Sequence, residues 1–136
     1  MCKVGDIIVI KNYIGDDGCL IRQHSFIVIN DEVGKIESIS YDFVANVMSS
    51  FKDDDHKEKK LRFIENLLIT QDDRNCSPEN GKEAYIKVDQ FYYFDKSKLD
   101  FYVIGTAEQK IIDRIFELIE ILEEQDKLKN NVENLK

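Results

Sequence analysis

Val88-Asp89-Gln90-Phe91-Tyr92-Tyr93-Phe94-Asp95-Lys96-Ser97-Lys98-Leu99 is the stretch on which the fold turns. Its first half is rich in aromatic side chains, which favour a pleated strand. Asp95 to Lys98 has the composition of a polar turn. Tyr85 to Phe94 therefore reads as the longest strand of the chain, and Phe101 to Ile104 as a short one after the turn. Thr106 and Gln109 then have the spacing of a capping box. Beyond them Ile111, Ile112, Ile115, Phe116, Leu118, Ile119 and Leu122 recur at helical intervals on one broad face.

Toward the N-terminus, Gly5-Asp6 opens a strand at Ile7 to Lys11, whose unbroken apolar run predicts burial on both faces. Asn12 to Gly18 is a loop of turn residues, and Ile21 to Asn30 is a second strand. After a turn at Asp31 to Gly34, a third strand covers Ile39 to Met48. Ser49 to Lys60 is a long charged loop, and Leu61 to Thr70 a strand with an irregular start. Gln71 to Lys82, with Pro78 and Asn80-Gly81, is a surface loop. Several short strands and one closing helix predict a mainly β fold, a small and strongly bent antiparallel sheet with a C-terminal amphipathic helix. Residues 1–122 form a single domain on this reading, and 123–136 a polar helical extension or tail. Leu128, Val132 and Leu135 form a thin apolar stripe on that tail.

Composition narrows the function classes. The chain has 136 residues, 43% apolar and 34% charged, enough for one domain with its own core. Apolar runs such as Ile7 to Ile10 are far too short to cross a bilayer, and Met1 to Asp6 has no signal-peptide character. Cys2, Cys19 and Cys76 are odd in number and too widely spaced for a metal or redox pair, which predicts reduced thiols and a cytoplasmic location. No zinc or calcium spacing is present, so no metal or cofactor is expected. The net charge of −8 confines any nucleic-acid contact to a local basic groove. Lys57, Lys59, Lys60 and Arg62 form the densest basic stretch. They either touch phosphates or balance Asp53 to Asp55.

Four segments carry a resemblance. Gly5-Asp6-Ile7-Ile8-Val9-Ile10 opens the first strand, Phe26 to Asp31 ends the second, Val44 to Ser50 ends the third near hydroxyls, and Asp89-Gln90…Asp95-Lys96…Leu99 precedes the closing helix. In that order they resemble the MazF/PemK family, the small ribonuclease toxins of bacterial toxin–antitoxin systems. The likeness covers about residues 4–122, with 51–84 poorly matched. It implies an SH3-like barrel working as a homodimer. Such a protein cuts single-stranded RNA without metal, by attack of the ribose 2′-hydroxyl on the neighbouring phosphate, and is blocked by a cognate antitoxin. Arg22-Gln23-His24-Ser25 stands where the family commonly has Arg-Pro, Tyr92-Tyr93 where it often has Arg-Thr, and Met48-Ser49-Ser50 where some members carry a catalytic Thr.

Lys87 and Asp89 are two apart on one strand and share a face, as do Arg22 and His24. Cleavage by a 2′-hydroxyl needs a base, an acid and positive charge at the transition state. The resemblance implies catalytic roles at Lys87 and Asp89, and the residues' own chemistry completes the set: Asp89 as base or its orienter, Lys87 and Arg22 as charge stabilisers, His24 as proton donor and Ser49 as phosphate ligand. Lys57, Lys59, Lys60 and Arg62 would track the RNA backbone, and Tyr93 would stack a base. The plainer reading makes Lys87 and Asp89 a solvated pair on a strand. Two other functions stand beside the ribonuclease: a catalytically inactive toxin-fold module that binds a protein, and a gyrase-directed toxin like CcdB.

Overall fold

A computed structural model describes residues 2–136. Ten strands and two helices follow one another: β1 (Asp6–Ile14), β2 (Leu20–Asn30), β3 (Gly34–Ile36), β4 (Ile39–Tyr41), β5 (Phe43–Ser50), α1 (Asp54–Leu61), β6 (Asn66–Ile69), β7 (Arg74–Cys76), β8 (Ala84–Phe94), β9 (Phe101–Ala107), α2 (Gln109–Glu124) and β10 (Lys129–Asn131). The main sheet has the order β10-β8-β5-β2-β1-β9-β7, with β6 also pairing along β8. It is antiparallel except for the β8–β10 pair, and it curls into a half-barrel. β3 and β4 form a separate small hairpin.

Both faces of the curled sheet are apolar, because the strands alternate between two cores. Ile7, Ile27, Ile29, Val44, Met48 and Ile86 meet Ile111, Ile115, Leu118 and Leu122 of α2 on one side. Ile8, Ile10, Phe26, Val28, Val47, Tyr92 and Phe94 fill the other, with Cys2 and Tyr13. Phe26 is the hub of this second core, edge-on to Tyr13, Tyr92 and Phe94 at 4.8, 5.3 and 5.4 Å between ring centres. The unbroken run Ile7 to Ile10 belongs to a strand buried on both sides, as its sequence predicts.

The chain departs from its sequence reading in several places. The expected third strand, Ile39 to Met48, is split into β4 and β5, which lie in different sheets, and the expected loop Gln71 to Lys82 contains β7, paired with β9. The charged segment predicted as a loop contains α1. Asp53 caps it by accepting a hydrogen bond from the His56 N–H at 2.7 Å. Asp54 and Asp55 sit in the first turn and Lys59 and Lys60 in the last, each sign opposing the helix dipole. No residue of α1 is buried, so the apolar rhythm that announces a helix is missing.

Thr106 does not cap α2. It lies in β9 opposite Asp6, and the N-cap falls two residues later, at Glu108. Strand pairing with β1 holds Thr106 extended, which overrides its capping preference. Beyond Glu124 the expected tail does not prolong the helix either. After α2 the chain reverses through Asp126 (φ 55°) and lays β10 parallel to β8. This buries Val132 and Leu135.

β6 lies on one edge of the sheet and β7 on the other, so residues 66–76 carry the chain across the open side of the half-barrel. β7 comes close enough to β9 that a Cβ on Gly105 would lie 2.6 Å from the Asn75 carbonyl oxygen. No helix among the described residues is long and apolar enough to cross a membrane.

Candidate functional site

The β5–β8 ladder contains a large irregularity. Asn46 pairs with Phe91 and Met48 with Ile86, so Lys87 to Gln90 all stand opposite Val47. Extra residues on one strand must bend away and leave ladder groups unpaired. The fully buried Asn46 repairs part of this: its Nδ2 donates to the Gln90 carbonyl at 2.8 Å and more weakly to that of Val88 at 3.4 Å. On the outer side the Val88 N–H donates to Glu65 O at 2.8 Å. Lys87 and Asp89 sit on this bulge, where β6 pairing ends at Lys87 and β10 pairing begins at Gln90.

Lys87 and Asp89 line one cleft of about 250 Å³ with Lys60, Glu65 and Tyr85. Burial pushes the Asp89 carboxyl above its ordinary value, and the nearby Glu65 carboxylate pushes it further. Lys129 and Lys87 pull the other way without cancelling the rise. No ion pair joins Lys87 to Asp89 among the described residues.

His24 reaches the same region from β2. Ser25 pairs with Met48 across β2–β5, and continuing that register by one residue sets His24 beside Ser49. Ser49 in turn pairs with Tyr85 of β8. Alternation puts His24 on the face of Phe26 and Lys87 on the face of Val47, which is the same side of the sheet. Tyr13 approaches the imidazole at 6.2 Å between ring centres. The imidazole is half-buried, and its proton affinity is lowered, first by burial and then by the positive charge of Lys87. His24 is therefore neutral at pH 7, which suits a proton acceptor and opposes the donor role expected for it.

A second cleft, of about 310 Å³, has His24 and Ser49 in its lining together with Ser25, Ser50, Arg74 and Lys82. Of the five expected catalytic residues, His24 and Ser49 meet here, Lys87 and Asp89 meet in the neighbouring cleft, and Lys87 links the two through its effect on His24. Arg22 stands apart. It is exposed, pairs with Asn12 across β1–β2 and lines neither cleft.

The expected RNA-contacting residues divide in the same way. Lys60 lines the Asp89 cleft. Lys57 is tied to Glu83 at 2.6 Å, Arg62 pairs with Glu58 at 3.4 Å, and Lys59 is exposed on α1. Tyr93 faces the opposite side, edge-on to Tyr41 at 5.0 Å, and its hydroxyl donates to Asn130. That places it outside the groove it was expected to line. Tyr92, its neighbour, is core, and burial raises its phenol to about 12.

Arg74, Tyr85 and Glu65 were not legible as site residues. Each lies in a segment whose local pattern says only loop or strand, and each joins the clefts through pairings distant in sequence. Among the described residues no three His, Cys, Asp or Glu side chains gather as a metal site would require. Comparison of the chain with protein-family models, with curated proteins and with solved structures gave no match.

Proposed function

We propose that this protein is a metal-independent endoribonuclease of the MazF/PemK toxin type, with an SH3-like barrel. On this reading it acts in the cytoplasm as a homodimer and cuts single-stranded RNA until an antitoxin covers the groove. The observation that carries the reading is the placement of His24, Ser49 and Lys87 on one side of the sheet, with His24 beside Ser49 in the β2–β5 register and Ser49 beside β8.

The chemistry follows from the charge states. Neutral His24 takes the proton of a ribose 2′-hydroxyl. The freed 2′-oxygen attacks the adjacent phosphorus, and the bond from phosphorus to the 5′-oxygen breaks. The products are a 2′,3′-cyclic phosphate and a 5′-hydroxyl end. Lys87 offsets the negative charge that builds on the phosphorane, and Ser49 donates to a phosphate oxygen. Asp89, whose raised proton affinity gives it a larger neutral fraction than an ordinary carboxyl, returns a proton to the leaving oxygen. This exchanges the roles that the sequence reading expects for His24 and Asp89.

Induction in a bacterial host tests the reading, with wild type compared to Asp89→Ala and His24→Ala. Growth arrest with RNA fragments ending in 2′,3′-cyclic phosphate is expected from wild type only. Intact RNA after incubation with folded, purified wild type overturns it. One set of observations favours a non-catalytic, protein-binding module instead: the chain carries a net charge of −8 and Arg22 lies outside both clefts.

A further inference from the structure

Arg74 is a buried cation without a carboxylate partner. Only 7% of it is exposed. Its Nε donates to the Thr70 carbonyl at 3.2 Å and one terminal nitrogen donates to the Lys82 carbonyl. No ion pair involves it among the described residues. The adjacent Asp73 is already engaged, by Lys110 at 3.1 Å and by the Thr70 N–H and hydroxyl at 2.8 and 3.0 Å. A guanidinium held this way is fixed in orientation, and the nearby Asp73 charge offsets it only in part. Charges taken out of water are normally paired.

The same side chain lines the cleft of about 310 Å³ on the open side of the half-barrel. The exposed Lys82, whose carbonyl accepts from Arg74, also lines the cleft, as do Ser25 and Ser50. Glu79 also lines it, on an exposed turn, so two cations stand against one carboxylate. Arginine's planar fork matches two oxygens of a phosphate, and serine hydroxyls donate to the others.

We infer that this cleft is a phosphate subsite in which Arg74 and Lys82 hold the anion and Ser25 and Ser50 complete its hydrogen bonds. The subsite itself stands on the geometry of Arg74. Its assignment to a phosphate of RNA rests on the ribonuclease reading, since His24 and Ser49 share its lining. A phosphate held there neighbours the one being cut, which lets the protein position a strand despite an acidic surface.

Two probes separate the questions. One is inorganic phosphate, titrated calorimetrically against chloride at constant ionic strength. The other is a fluorescent 2′-deoxy oligonucleotide, which lacks the attacking hydroxyl and so reports binding without cleavage. Wild type binds both. Lys82→Met and Arg74→Lys each weaken both by about tenfold, the lysine because it keeps the charge but loses the fork. Circular dichroism checks that Arg74→Lys folds, and Lys82→Met decides the matter where it does not. Phosphate binding that is absent in wild type, or unchanged in both folded variants, overturns the subsite. Phosphate binding without oligonucleotide binding keeps the subsite and removes its link to RNA. Oligonucleotide binding that depends on Lys82, with RNA left uncut by wild type, keeps the subsite while the ribonuclease reading falls. RNA cut by wild type, with both variants binding normally, does the reverse.

Discussion

The side chain of Asn134 and the main chain of Ile14 exchange two hydrogen bonds across 120 residues of sequence. The Ile14 N–H donates to Oδ1 at 2.7 Å, and Nδ2 donates to the Ile14 carbonyl at 3.0 Å. The carboxamide thus imitates a strand partner at the end of β1. Lys98 Nζ adds a bond to the Leu135 carbonyl at 2.8 Å. The C-terminal segment is therefore an integral edge of the fold.

Asn134→Ala removes both bonds, leaving the part-buried Ile14 N–H to water and the Ile14 carbonyl with only the longer bond from Asn131 Nδ2 at 3.4 Å. A loss of about 1–2 kcal/mol is expected in chemical denaturation. RNA cleavage should be unchanged, because neither Ile14 nor Asn134 lines the clefts around His24 and Lys87. A loss below a few tenths of a kcal/mol shows that the edge is not held this way.

Asn46→Leu is expected to cost more. Leucine is close in volume, so the main effect is the loss of a donor to the Gln90 and Val88 carbonyls inside the bulge. About 2–3 kcal/mol is expected in denaturant titration. Asn46 Oδ1 is itself without a partner among the described residues, so it adds nothing that the leucine forfeits. Cleavage should fall as well, since the bulge sets Lys87 and Asp89. A variant that keeps full activity at lower stability would detach the bulge from the chemistry.

Asp89→Asn should raise thermal stability at pH 7 while abolishing cleavage. The folded-state carboxyl has its proton affinity raised above the ordinary 3.8. Its stabilising contribution is full below that value and is lost as pH rises through the folded pKa. At neutral pH the ionised group is a burden that asparagine lacks. The gain in Tm should shrink as pH falls toward 4. An unchanged or lower Tm at pH 7 would contradict the burial of a charged Asp89.

His24 titrates with the opposite sign. Its proton affinity is lowered below the ordinary 6.5, so its contribution is full above that value and is lost as pH falls through the folded pKa. Wild type should lose stability on acidification from about pH 6.5, and His24→Gln should flatten that slope. The proposed mechanism needs His24 neutral and Asp89 protonated together. Cleavage should then peak on the acid side of neutrality, between the two ordinary values. A rate that climbs steadily from pH 6 to 8 would remove Asp89 from the donor role.

Leu118→Ala probes the packing of α2. Leu118 is 1% exposed in the core that joins the helix to the sheet. The cavity should cost about 2–5 kcal/mol. Phe116→Ala, at 43% exposure on the same helix, should cost much less. Equal losses in thermal melts would mean that the helix docks on a different face.

The amino-acid pattern determined the long strands β1, β2 and β8, the helix α2 and which of their sides are apolar. The unbroken apolar runs Ile7 to Ile10 and Phe26 to Ile29, and the helical spacing of Ile111, Ile115, Leu118 and Leu122, are local patterns that burial merely satisfies. α1 escaped because its signals are a cap and a charge order, with no apolar face behind them. Thr106 and the tail escaped because pairing with Asp6 and with Gln90 to Tyr92 outweighed local preference. The candidate site belongs to tertiary structure almost entirely. His24 and Ser49 become neighbours through the β2–β5 register, Lys87 and Asp89 are set by a bulge whose carbonyls Asn46 meets in part, and Arg74 enters its cleft because the chain crosses the open side of the half-barrel. Register and closure are long-range: a shift of one residue inverts every side chain of a strand, and no local run of sequence encodes it.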